Sequence, residues 1–117
     1  MTQSARWTYV CRLHEIVPNT GVCARVGKTQ VAVFRLVSPQ GEEEGVHAIA
    51  NHDPQASANV LSRGLVGDLG GERVVASPVY KHHYSLLSGR CLEDEHLRVA
   101  VYPVRLSEDG LILVCVP

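Results

Sequence analysis

Two β-branched runs, Gly21-Val22-Cys23-Ala24-Arg25-Val26 and Thr29-Gln30-Val31-Ala32-Val33-Phe34-Arg35-Leu36, are separated only by Gly27-Lys28. Two residues are too few for a crossover, so the runs must fold back on each other as an antiparallel hairpin. The rest of the chain repeats this grammar. Arg6–Cys11 alternates, with Trp7, Tyr9 and Cys11 expected on one face and Arg6, Thr8 and Val10 on the other. Val46–Ala50, Glu72–Ala76, Tyr84–Leu87, Val99–Leu106 and Leu111–Val116 are further short strands, with Gly-, Pro- and Asn-containing turns between them. Pro103 cannot donate to a ladder, so its strand should lie on an edge or carry a bulge. Helix is expected only as single turns, at Leu13–Ile16 and within Ala56–Arg63. About eight or nine short strands without an amphipathic helix point to an all-β fold, an antiparallel β sandwich or small barrel.

A chain of 117 residues reads as one domain, 1–117, able to bury roughly two-thirds of its unfolded surface. With 45% apolar and 20% charged residues, disordered and collagen-like classes are excluded. Net charge is −1 and no two Lys or Arg are adjacent, so no basic stripe exists for nucleic acid. The charge run Glu42-Glu43-Glu44, between Gly41 and Gly45, reads as a solvated hairpin tip. No segment has the length of a signal peptide or a membrane span, and a cytoplasmic location is expected. In that compartment Cys11, Cys23, Cys91 and Cys115 should be free thiols, by default buried small hydrophobes.

Residues 51–89 hold most of the turn chemistry. Asn51–Asn59 contains Asp53-Pro54-Gln55, and a second loop contains Ser77-Pro78-Val79-Tyr80. Between them Gly64, Gly67, Gly70 and Gly71 mark a bent return. Two proline-bearing loops joined in this way read as two fingers of one site. Catalytic and metal patterns are weak here. Cys11-x-x-His14 has no answering pair for zinc. Of six histidines, His52, His82 and His83 could gather near the finger tips, but exposed loop residues or hydrogen-bond partners are the simpler reading. Gly67-Asp68-Leu69-Gly70-Gly71 precedes a strand and lacks the helix N-terminus that cradles phosphate.

The stretch resembles the Rieske [2Fe–2S] fold, whose pattern is Cys-x-His followed about twenty residues later by Cys-x-x-His. Overlaid on this chain, the four ligand positions become Asp53, Gln55, Ser77 and Tyr80. All are oxygen side chains where sulfur and imidazole are required, so the resemblance implies a Rieske-like domain without its cluster. Among such domains the chain is similar to the small subunit of assimilatory NAD(P)H-dependent nitrite reductase. The likeness rests on Asp53-Pro54, Ala58–Gly64, Val66-Gly67-Asp68, Val75–Pro78, Tyr80-Lys81, Gly89–Asp94 and Tyr102–Arg105.

That resemblance implies an oxidoreductase subunit for the reduction of nitrite to ammonium. In it a large subunit carries FAD, sirohaem and an iron–sulfur cluster, NAD(P)H is the reductant, and the small chain binds no cofactor. Asp53, Gln55, Ser77 and Tyr80 are then expected to hydrogen-bond across the gap between the fingers. The surface meeting the large subunit is expected around Asp53–Asn59, Arg63 and Lys81, His82, His83 and Tyr84. The alternative is a free-standing Rieske-like interaction or electron-transfer module of another oxidoreductase.

Overall fold

The computed structural model describes residues 6–117. Its strands are β1 (Trp7–Arg12), β2 (Thr20–Val26), β3 (Thr29–Val37), β4 (Glu43–Ala50), β5 (His52–Asp53), β6 (Ala58–Asn59), β7 (Leu65–Leu69), β8 (Glu72–Ala76), β9 (His83–Ser85), β10 (Val101–Tyr102), β11 (Val104–Leu106) and β12 (Leu111–Cys115). Among the described residues helix is limited to 3-10 turns at Leu13–Glu15 and Leu61–Arg63. None among the described residues is long and apolar enough to cross a membrane. Every strand pair is antiparallel, in sheets ordered β1-β12-β11, β10-β4-β3-β2, β5-β6 and β7-β8-β9.

The β2–β3 hairpin forms as its sequence requires, with Val26 opposite Thr29 and Gly27 at φ +62. Lys28 keeps a negative φ, the sign pattern of a II′ turn, whose twist matches the strands it joins. Strand β3 is the centre of the molecule because its two faces feed two cores. Val31 and Val33 pack with Ile16, Val26, Ala48, Ile112 and Val114 between the β10-β4-β3-β2 and β1-β12-β11 sheets. Ala32, Phe34 and Leu36 turn the other way and, with Ile49 of the neighbouring strand β4, pack against Leu61, Val75, Tyr84 and Leu86, which come from the finger region. The alternation of a strand buried on both faces thus fixes three layers.

Several local expectations shift for physical reasons. In β1 the register slips between Tyr9 and Cys11, a bulge that turns both Val10 and Cys11 toward the core and leaves Tyr9 52% exposed. Pro103 divides the expected Val99–Leu106 strand: β10 pairs with β4 and β11 with β12, so the residue without an N–H sits where the chain changes sheets. Glu43 and Glu44 lie on β4 rather than at the tip, where Arg35 and Arg73 reach them. Gly67 and Asp68 belong to β7, and the bend is confined to Gly70 and Gly71, both at positive φ. The last strand before the acidic loop is His83–Ser85, leaving Leu87 75% exposed. Of the cysteines only Cys91 is buried; Cys11 and Cys115 are half-buried and Cys23 is exposed.

Candidate functional site

The two fingers are one turn built twice. In the first, the Ser57 N–H donates to the Asp53 carbonyl (2.8 Å); in the second, the Lys81 N–H donates to the Ser77 carbonyl (3.0 Å). Each opening side chain accepts an N–H two residues on, Gln55 to Asp53 Oδ1 (2.9 Å) and Val79 to Ser77 Oγ (3.3 Å). Proline follows each opener, and each turn closes on a non-glycine residue at positive φ, Ser57 at 53° and Lys81 at 59°. Asp-Pro and Ser-Pro suit this geometry because the side chain caps the turn while proline holds its φ.

The openers face each other and are fully withdrawn from solvent, Asp53 at 0% and Ser77 at 1% exposure. Ser77 Oγ donates to Asp53 Oδ2, and the Tyr84 hydroxyl donates to Asp53 Oδ1 at 2.9 Å. With the Gln55 and Ala56 N–H groups (2.9 and 3.4 Å), one carboxylate joins both fingers to strand β9. Burial pushes the Asp53 carboxyl upward, but donation from Ser77, Tyr84 and the two amides outweighs it and holds the pKa below its ordinary value. Burial, with the neighbouring Asp53 charge and hydrogen bond, raises the Tyr84 phenol well above its ordinary value, keeping it a donor.

A second buried polar residue anchors the base of the first finger. Asn51, 2% exposed, accepts the Ser62 N–H at Oδ1 (2.7 Å) and donates from Nδ2 to Gln30 Oε1 (3.2 Å) and Cys23 Sγ (3.4 Å). Its backbone N–H donates to the Gln30 carbonyl, and its carbonyl accepts from Leu61. Asn51 therefore ties the finger to the β2–β3 hairpin and to the 3-10 turn.

The expected residues divide accordingly. Asp53 and Ser77 meet. Gln55 contributes only its backbone, and Tyr80, 58% exposed, takes no part in the network. The phenol that completes it is Tyr84, expected on the partner surface but 0% exposed. The correction follows from strand parity: Tyr84 lies opposite Val75 on β8, and Val75 faces the core. Its sequence signal was an apolar setting, Tyr84-Ser85-Leu86, since a buried tyrosine seeks a partner for its hydroxyl. Arg63 and Lys81 are exposed. His82 is half-buried with its Nδ1 covered and unpartnered among the described residues. The His83 ring donates from Nδ1 to Glu93 Oε2 (2.6 Å), and its backbone N–H donates to Oε1 (2.7 Å).

Tyr84→Phe removes a hydrogen bond to a buried carboxylate and should cost about 1.5–3 kcal/mol. Tyr80→Phe should stay within about 0.5 kcal/mol. Urea unfolding of both variants checks the assignment: equal midpoints would show that the fingers are held by something else.

A Rieske cluster requires two thiolates and two imidazoles. Neither finger offers either donor at 53, 55, 77 or 80, and the Asp53 carboxylate is engaged by four hydrogen bonds. This donor set does not fit such a cluster. Among the described residues there is no grouping of three or more His, Cys, Asp or Glu placed to hold a metal ion.

The family model for Rieske-like [2Fe–2S] domains matches residues 6–115. The nitrite reductase (NADH) small subunit of Salmonella typhimurium is 44% identical over 108 residues, 92% of this chain and 95% of that protein. The NMR structure of the E. coli protein NirD is similar with a TM-score of 0.85 at 40% identity, covering 97% of this chain and 98% of that one. A segment of the Klebsiella oxytoca nitrite reductase NAD(P)H large subunit is 40% identical over 111 residues, 95% of this chain but 11% of that protein. Antiparallel layers, paired fingers and relatives aligned over nearly the full length agree, and the chain belongs to the nitrite reductase small-subunit family of Rieske-like [2Fe–2S] domains.

Proposed function

We propose that this chain is the small subunit of a cytoplasmic NAD(P)H-dependent nitrite reductase, which reduces nitrite to ammonium, and that it shapes the assembly rather than carrying its electrons. FAD, sirohaem and the iron–sulfur cluster then reside on the large subunit. The observation that carries this reading is the Asp53 carboxylate, which bridges the fingers to each other and to Tyr84. Asp53, Gln55, Ser77 and Tyr80 are the vestigial ligand positions. The hydrogen bond that the third donates to the first holds the loops together where a cluster would do so by metal ligation.

The partner assignment is supported by the Klebsiella oxytoca large subunit, in which a segment similar to this chain is part of the long polypeptide. A module that occurs fused in one protein and separate in another is expected to sit at the same place in both assemblies. That the chain acts as one domain, 1–117, is supported by β3, which supplies residues to both cores.

Nitrite-dependent NAD(P)H oxidation by the large subunit, measured with and without this chain, tests the role. Addition of the chain should raise activity or its thermal half-life. Two irons and two labile sulfides per isolated chain, the content of a Rieske centre, would overturn the proposal.

A further inference from the structure

Because the two fingers share one backbone geometry, each is a control for the other. Where the second finger has Val79, Tyr80 and Lys81, the first has Gln55, Ala56 and Ser57. The turn itself therefore does not require an apolar, aromatic and cationic tip. Yet Val79 is 48% and Tyr80 58% exposed, and Lys81 occupies a positive φ that lysine tolerates poorly.

Leu65 extends this tip. It is 79% exposed on β7, which forms an edge of the β7-β8-β9 sheet. The register places it opposite Ala76, the residue from which the second finger springs, and Ala76 lies opposite His83, where the finger returns. An exposed leucine on an open edge is a liability unless something covers it. Arg63 lies two residues before it, so Leu65, Val79 and Tyr80 have cations on either side, Arg63 and Lys81. Asp53 is buried in the finger network and Glu93 is held by His83. Asp68 and Glu72 stand toward the opposite end of the β7–β8 hairpin.

We infer that the second finger and Leu65 form the docking surface of this subunit, an apolar centre rimmed by Arg63 and Lys81. The partner it fits is an acidic, apolar-centred face of the nitrite reductase large subunit, an inference that rests on the subunit assignment above. Buried aromatic and aliphatic anchors supply most of the affinity at such interfaces, while rim charges set the encounter rate and its salt dependence.

Titration of purified large subunit with wild-type chain and variants tests this. Leu65→Asp and the pair Arg63→Glu/Lys81→Glu should each weaken binding by about tenfold or more. Lys81→Gly should weaken binding while the melting midpoint holds or rises, because glycine accepts the positive φ; a simple loss of folding would move both readings together. Tyr9→Glu, on the far barrel strand β1, should bind as wild type. Wild-type affinity in both Leu65→Asp and the reversed pair would overturn the surface. No binding by wild type would overturn the subunit assignment and the surface with it.

Discussion

Asp53→Ala lowers the stability of this protein by about 3–5 kcal/mol, the range for removing one member of a buried charged network. For a domain of this size the melting midpoint falls by about 12–20 °C. The effect is large because the carboxylate is 0% exposed and four donors lose their acceptor: the Ser77 and Tyr84 hydroxyls and the Gln55 and Ala56 amides. The same residue makes the fold acid-sensitive. Its folded pKa lies below the unfolded value of 3.8, so its contribution is complete above that value and is lost as pH falls through the lower, folded pKa. Asp53→Asn, which cannot ionise, should flatten this part of the stability profile. An Asp53→Asn profile parallel to wild type below pH about 4 would assign the acid sensitivity to another group.

Gly89→Ala costs about 2–5 kcal/mol, combining a left-handed backbone penalty with overpacking. Gly89 sits at φ +80, and a Cβ there would lie 2.1 Å from the Val99 carbonyl oxygen. The Val99 N–H donates to the Gly89 carbonyl at 2.8 Å, so relieving the clash pulls apart the bond that brings the segment leading into β10 against the finger region. Gly27→Ala is the comparison: it shares a positive φ of +62 but has nothing within 4 Å of the added carbon. Its cost should be about 1–2 kcal/mol. Chemical denaturation of both separates the steric contribution from the conformational one; equal losses would show that the close approach at Gly89 is not tight.

Much of the fold was legible because it is encoded at short range. Gly27-Lys28 between two β-branched runs leaves little besides a hairpin, and Glu72–Ala76 is a strand with the limits its pattern suggests. Pro103 announced an irregularity because a missing N–H has the same consequence in any sheet; that it marks a passage between two sheets was not visible. The bulge in β1 was likewise hidden, since Trp7–Cys11 alternates and only β12 reveals the slip.

In the site, Asp53 and Ser77 stood out because each precedes proline in a turn, and the resemblance assigned them to corresponding positions. Their partner did not. Tyr80 and Tyr84 are the same chemical group four residues apart, and the apolar residues after Tyr84 hint at its burial without saying what its hydroxyl meets. That was decided by the pairing of β9 with β8, which places Tyr84 over Val75 and leaves Tyr80 in solvent. Asn51 escaped notice for the same reason, because its partners Cys23 and Gln30 come from the distant β2–β3 hairpin.

The sequence by itself determined that this chain folds into short antiparallel strands, that two proline turns form a pair, and which family they belong to. Each rests on residues adjacent in the chain or on a pattern carried along it. The tertiary structure alone decided that β3 divides two cores and that one carboxylate joins Ser77, 24 residues away, to Tyr84, 31 residues away. Such meetings depend on how sheets stack and on which face each strand presents, and local backbone preference carries no information about either.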